Sequence, residues 1–295
     1  KNIWRLLIKI MKKAKETVMH IVFLVAACVS IFAVALICIF LFGNGIPAIG
    51  KIGLGHFISG MDWKPLNNIF GIFPMIIGSI YVTAGAIIVG VPIGILCAVY
   101  MAKFCPKGLY KIFKPAINLM AGIPSIVYGF FGLVVLVPIV QNMHGGSGKG
   151  VLAASVLLGI MILPTIISVS ESAIRAVPNY YFEGALALGD TKERSIFCAV
   201  LPAAKSGIMA GVILGIGRAI GETMAVIMVA GNQPILPDSL FSGVRTLTAN
   251  IVLEMGYATD LHRQALIATG VVLFVFILII NILFSLLNRR SGDKA

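Results

Sequence analysis

Long apolar runs are the feature that most constrains the fold of this chain. A transmembrane helix needs about 20 mostly apolar residues. Six runs of about that length or longer lie at about 20–42, 73–101, 116–140, 151–170, 207–230 and 265–287. The mean hydropathy is +1.03, and only 12% of the residues are charged, about half the charged content of a soluble domain. The sequence therefore predicts an all-α membrane protein with six transmembrane helices.

The distribution of Lys and Arg predicts the orientation of these helices. The two terminal segments and the second and fourth intervening loops hold 17 of the 23 basic residues, and the other loops hold five. Because cytoplasmic loops are enriched in basic residues, we expect both termini in the cytoplasm. The first run is longer than the apolar core of a signal peptide, so it is interpreted as a retained helix. The predicted organisation is a cytoplasmic amphipathic segment (1–19), a permease-like membrane domain (20–287) and a cytoplasmic tail (288–295).

Two glycine-rich segments imitate nucleotide-binding motifs without meeting their requirements. Residues 145–150 end in Gly150, where a phosphate-binding loop needs Ser or Thr. Glycines 215, 217 and 221 have the wrong spacing for a dinucleotide fingerprint. We therefore expect no cofactor in this chain. Small residues instead recur every fourth position, which favours close helix packing, in the sets Gly207, Gly211, Gly215 and Gly217, Gly221, Ala225.

The loop at 171–206 is the longest predicted cytoplasmic segment and has its own helical signals. Pro178 is suited to the first turn of a helix and Gly189 to its C-terminal cap. Asp190 is suited to begin a second short helix, which Pro202 would end. The pattern predicts a helix, a glycine turn and a second helix that project into the cytoplasm.

This loop resembles the signature of the integral permease subunits of ABC-type importers, E-A-A, three residues, G, nine residues, I, one residue, L-P. Five positions match it, namely Glu183, Ala185, Gly189, Leu201 and Pro202. Gly184 and Ala199 stand where the family usually has Ala and Ile. The resemblance implies that 183–202, including Gly184, is the coupling segment that docks on a cytoplasmic ATPase subunit.

Two charges inside the fifth run are candidates for the translocation pathway. A charged residue at the centre of a membrane helix costs about 2.5 to 3.5 kcal/mol, and four-residue spacing would place Arg218 and Glu222 on one helix face. Either the two side chains merely neutralise each other, or Arg218 offers donors to a passing oxyanion while Glu222 holds it between passages. With the adjacent Thr223, they are the predicted pathway residues.

Three further stretches extend the resemblance to the PstC-type permeases of bacterial phosphate importers, over about 63–287. They are 121–129, 217–226 and 244–250. The resemblance implies the permease fold of type I ABC importers in the bacterial cytoplasmic (inner) membrane, with alternating access for inorganic phosphate. It also implies a second, PstA-like permease subunit, two cytoplasmic ATP-binding subunits that hydrolyse ATP, and an external phosphate-binding protein. The subunit itself would not be an enzyme, and its surroundings would be membrane lipid rather than nucleic acid.

Two other functions fit the same sequence features. An importer of the same type for sulfate or molybdate would also need a cation in the pathway. A secondary transporter or channel would use Arg218 and Glu222 as a proton relay.

Overall fold

The computed structural model describes the backbone of residues 2–292 and the side chains of residues 15–283 and 286. The predicted amphipathic face of residues 1–14 and the last three residues of the tail lie outside this description. The elements are α1 (Asn2–Ile52), α2 (Leu54–Ser59), β1 (Trp63–Lys64), β2 (Ile69–Phe70), α3 (Phe73–Val99), α4 (Lys107–Gly122), α5 (Ser125–Phe131), α6 (Val137–His144), α7 (Val151–Ala176), α8 (Asn179–Ala187), α9 (Lys192–Ser195), α10 (Leu201–Ala203), α11 (Lys205–Gly221), α12 (Met224–Val229), α13 (Leu247–Met255) and α14 (Asp260–Gly292).

Candidate membrane spans account for most of the helical residues. Five segments are long and apolar enough by themselves, and they are Lys15–Ile52, Phe73–Phe104, Ser125–His144, Val151–Ala176 and Asp260–Leu283. A sixth candidate consists of Lys192–Ala203 and Lys205–Gly221, which meet at an angle of 70°. The prediction of an all-α membrane protein with six spans agrees with the described residues when the bent pair is counted as one span.

The central helix α7 packs against α11 through small residues. A Cβ atom at Gly207 would collide with Ala173, and one at Gly215 would press on Ile166. Since residue numbers increase along α11 while those of its contacts on α7 decrease, the two helices are antiparallel. The absence of a side chain at Gly207, Gly211 and Gly215 permits this close approach, as the four-residue repeat predicts.

The first helix is longer than its apolar run predicts. Residues 43–52 were expected in an external loop, but α1 continues through Pro47 to Ile52. Gly45 and Ala48 are buried, and Val271 of α14 lies where a Cβ of Gly45 would be. Packing against α14 therefore outweighs the weak helix propensity of the glycines in this segment.

The third span begins later in the chain than the sequence predicts. Residues 116–140 were expected to form one helix, but α4 ends at Gly122 and α5 begins at Ser125. Ile123 between them is extended, with ψ at 127°, because the ring of Pro124 disfavours a helical conformation in the residue before it. The lysine-rich segment expected as a loop is consequently α4, an amphipathic helix of 16 residues.

A buried polar cluster joins the segments on the predicted external side. Glu254 is 6% exposed in α13, which lies between the fifth and sixth apolar runs, where the sequence predicts no helix. Its carboxylate accepts hydrogen bonds from Trp63 Nε1 at 2.8 Å and Arg245 Nη1 at 2.6 Å, and it lies 2.9 Å from His262 Nε2. Residues far apart in the chain thereby hold the β1–β2 hairpin, α13 and α14 together.

Candidate translocation pathway and coupling surface

The fifth span is broken at Glu222. Helix α11 ends at Gly221, Glu222 is extended with ψ at 133°, and α12 begins at Met224. The Glu222 carboxylate accepts hydrogen bonds from the backbone N–H groups of Thr223 at 3.1 Å and Ala225 at 3.3 Å. It therefore satisfies donors that the start of α12 would otherwise leave unpaired. The prediction of one continuous helix over 207–230 is wrong.

Arg218 does not pair with Glu222. Its side chain is half-buried in the last turn of α11, and its Nη1 donates to Thr165 Oγ1 at 3.5 Å. Among the side chains that the structure describes, no carboxylate forms an ion pair with Arg218. The expected shared helix face is lost because the chain leaves the helix before Glu222. Thr165 lies near the midpoint of α7, so the guanidinium lies about halfway along this candidate span.

The backbone of α11 on either side of Arg218 has one face that no described residue packs against. Within the described part of the chain, a Cβ atom at Gly217 or Gly221 would meet no atom within 4 Å, so the close packing predicted for these two glycines is not found there. Ala225, the third member of that repeat, is buried and lies against Gly129 of α5. Thr223 is half-buried, and its hydroxyl donates to the carbonyl of Gly221 at 3.4 Å. The open side leaves room for a solute or a neighbouring subunit at the break.

Three polar residues at this site were not identified from the sequence. Thr165 lies inside an otherwise apolar run, where no local signal marks it. The Thr248 hydroxyl donates to the carbonyl of Glu222 at 3.1 Å. The buried Tyr128 donates to the carbonyl of Met120 at 2.9 Å. Tyr128 and Thr248 lie in stretches that the sequence singled out, but their contacts come from the fold.

The predicted coupling segment presents an exposed apolar surface. None of the residues in α8 is buried, Leu188 is 91% exposed and Tyr180 is 65% exposed. Glu183 and Gly184 are also exposed, and Ala185 is half-buried. Exposed apolar side chains at the tip of a hairpin favour contact with another protein.

Gly189 closes α8 as the sequence predicts. Its φ is +91°, a left-handed conformation that glycine adopts without the steric cost of a Cβ. The N–H of Gly189 donates to the carbonyl of Leu186 at 2.9 Å, and the N–H of Asp190 donates to the carbonyl of Ala185 at 3.2 Å. This pair of bonds is a Schellman motif. The predicted helix and glycine turn are confirmed.

The second helix of the hairpin differs from the prediction at its start. Thr191, rather than Asp190, is the N-terminal cap, because its hydroxyl accepts from the backbone N–H of Arg194 at 3.3 Å. Asp190 pairs with the Arg194 guanidinium at 3.0 Å. Pro202 lies near the end of the helical segment Lys192–Ala203, which stops one residue after it, as the sequence predicts. The bend follows at Ala204, and Leu201 is half-buried before it.

Comparison with known proteins adds to this geometry. Residues 90–292 match the family described as binding-protein-dependent transport system inner membrane component. The chain is 40% identical to the probable ABC transporter permease protein YqgH of Bacillus subtilis, over 89% of each chain. It is 34% identical to the phosphate transport system permease protein PstC of Mesorhizobium japonicum, over 90% of this chain and 87% of the relative.

Solved structures with this fold include permeases with different cargoes. An inward-facing MetNI methionine ABC transporter aligns with a TM-score of 0.59 at 19% identity, over 78% of this chain and 99% of that one. A bacterial ABC transporter that imports the acidic polysaccharide alginate aligns with a TM-score of 0.59 at 17% identity, over 88% and 95%. At these identities the likeness establishes the fold alone.

Proposed function

This chain belongs to the family of binding-protein-dependent inner membrane components, the permeases of ABC importers, and on that basis we propose that it forms the translocation path for inorganic phosphate. The similarity to phosphate permeases over about nine-tenths of the chain supports this substrate. The family assigns to such permeases an ATPase and a substrate-binding protein as partners.

The position of Arg218 carries the proposal. A guanidinium offers planar pairs of donors that match the oxygens of phosphate. The guanidinium lies about halfway along the candidate span α7, and its described hydrogen-bond partner is the neutral Thr165. Its positive charge would therefore act on an anion that has lost its water. One cation would bind the anion strongly enough to replace part of its hydration and weakly enough to release it.

The break at Glu222 supports an alternating-access mechanism. Discontinuous helices line the substrate sites of many transporters, because a break lets two half-helices change their relative angle. Here Glu222 caps α12 through its carboxylate, while Arg218 belongs to α11. Motion of α11 relative to α12 would turn Arg218 toward one side of the membrane or the other. Glu222 and Thr223 then act as the hinge of the pathway.

The hairpin at 183–202 would couple this motion to ATP. We assign docking on the ATPase to the exposed surface of α8 around Glu183 and Leu188. The rigid turn at Gly189 would hold α8 against α9. The complete importer would contain a second, PstA-like permease, two ATP-binding subunits that hydrolyse ATP, and an external phosphate-binding protein.

Reconstitution of the complete importer tests this function. The chain is co-purified with its partners, placed in proteoliposomes, and assayed for uptake of labelled phosphate with ATP inside and the binding protein outside. We expect ATP-dependent uptake that excess sulfate or molybdate does not reduce. Competition by either anion would indicate another oxyanion as the cargo. Uptake that persists without the ATPase subunits but stops when the proton gradient is dissipated would contradict the proposal.

A further inference from the structure

A buried carboxylate outside the pathway links two helices near the coupling hairpin. Glu171 is 1% exposed, in the last two turns of α7. It accepts hydrogen bonds from Tyr110 Oη at 2.8 Å and Lys114 Nζ at 2.6 Å, both on α4, and from Arg175 Nε at 2.7 Å. These four residues are called the Glu171 clamp below.

The clamp supplies the cations and hydrogen-bond donors that a buried carboxylate needs. A buried carboxylate is tolerated only where cations and hydrogen bonds replace its hydration, and the clamp supplies two cations and a phenol. Arg175 also donates to the carbonyl of Met101 at 2.7 Å and lies 4.5 Å from the centre of the Tyr110 ring. The hydrogen bond to Glu171 raises the pKa of Tyr110, because it stabilises the protonated phenol that donates it.

Few other contacts hold α4 in place. None of its residues is buried, although Tyr110 and Ile117 pack at the edge of an apolar cluster that includes Ile167 and Ile174. Leu119 is 73% exposed on the same helix. The contacts to the buried Glu171 carboxylate are therefore the charged attachment of α4 to α7.

The clamp lies between the coupling helix and the pathway. Only Val177 and Pro178 separate the end of α7 from the start of α8. At its other end, α4 meets α5 through the hydrogen bond from Tyr128 to the Met120 carbonyl at 2.9 Å. Gly129 of α5 lies against Ala225 of α12, next to the break in the fifth span. A continuous series of contacts thus runs from α8 through α7 and α4 to the pathway.

We propose that Glu171 is a positioning residue that makes α4 move with the coupling helix, so that displacement of α8 by the ATPase reaches α5 and, through it, α12 at the break in the fifth span. This proposal rests on the proposed function. A contiguous set of contacts does not by itself establish coupling, so the decisive quantity is the number of anions transported per ATP hydrolysed.

The test measures phosphate uptake and ATP hydrolysis in the same proteoliposomes. Glu171→Gln has nearly the same shape but removes the charge that opposes Lys114 and Arg175. We expect hydrolysis stimulated by the binding protein to persist, while phosphate transported per ATP falls about fivefold, the lower end of coupling between distant sites. Ser172→Ala is the matched control, since the Ser172 hydroxyl donates to the carbonyl of Ser168 in its own helix.

Two milder variants keep the test decisive if Glu171→Gln fails to assemble. Lys114→Gln and Tyr110→Phe each remove one α4 contact, and both should lower the ratio, whereas Lys111→Gln on the exposed side of α4 should not. A purely structural role would lower uptake, hydrolysis and the amount of complex together, with no change in the ratio. An unchanged ratio in all the clamp variants would overturn the proposal, whereas a wild-type complex that transports no phosphate would instead refute the proposed function.

Discussion

Arg218 on α11 reaches across to Thr165 on α7, with 3.5 Å between Nη1 and Oγ1. The carboxylate four residues later is engaged elsewhere, because Glu222 caps the start of α12. The two charges in the fifth span therefore have separate partners. No carboxylate among the described side chains pairs with the cation, and the anion stabilises the break in the helix.

Loss of the Arg218 charge should abolish most transport without preventing assembly. Hydrogen bonds to charged groups contribute about 1.5 to 3 kcal/mol, so we expect Arg218→Gln to lower phosphate uptake roughly ten- to hundredfold. Arg218→Lys keeps the charge but loses the planar fork and should be intermediate. Uptake is measured at equal amounts of complex in proteoliposomes, with Arg263→Gln at an exposed site as the control.

Exchange of the two charges distinguishes a pathway cation from a neutralising pair. In Arg218→Glu with Glu222→Arg, a cation would stand at the N-terminus of α12, where the helix dipole disfavours it. The double variant should therefore stay inactive. Recovery of near wild-type uptake would contradict the separate roles of the two residues.

Glu222 should tolerate loss of charge better than loss of its cap. Glu222→Gln keeps an oxygen that accepts from the N–H groups of Thr223 and Ala225, whereas Glu222→Ala leaves both unsatisfied. Loss of an N-terminal cap costs about 0.5 to 2 kcal/mol, so the Ala variant should have a lower thermal midpoint and lower uptake than the Gln variant. Equal loss in both would show that the charge, rather than the cap, is required.

Local signals account for the features that the sequence predicted correctly. The apolar runs predict the spans because bilayer thickness fixes their length. Gly189 predicts the turn after α8 because few other residues adopt a positive φ. The break at Glu222 was missed because it depends on Thr248, 26 residues later, as well as on the local cap. The Glu171 clamp joins residues 57 and 61 positions apart, and no spacing rule connects them.

Gly189 and Gly184 provide a matched pair for the coupling hairpin. Gly189→Val places a β-branched residue at a φ of +91°, which should distort the turn while leaving the membrane helices intact. Gly184→Ala meets no atom within 4 Å and favours the helix by about 1 kcal/mol. We expect the first variant to hydrolyse ATP without stimulation by phosphate-loaded binding protein, and the second to behave as wild type. Normal uptake by Gly189→Val would refute the coupling assignment.

The predicted orientation is tested with single cysteines. In a cysteine-free background, Lys149→Cys should react with an impermeant thiol reagent added to intact cells, because its loop is predicted to be external. Cys105 or Cys198, each retained alone, should react only after the membrane is permeabilised. The opposite pattern of labelling would overturn the orientation inferred from the basic residues.

The polar cluster around Glu254 should contribute more to stability than an exposed ion pair. Glu254→Ala removes the partner of Arg245, whose side chain is 15% exposed, and breaking a buried pair costs about 3 to 5 kcal/mol. Asp62→Ala, which breaks the exposed pair with Lys64, should cost less than about 1 kcal/mol. Thermal unfolding of the two variants in detergent measures the difference, and Glu254→Gln, which keeps an acceptor for Trp63, should fall between them. A midpoint for Glu254→Ala as high as that of Asp62→Ala would show that the external segments are held together by apolar contacts rather than by this carboxylate.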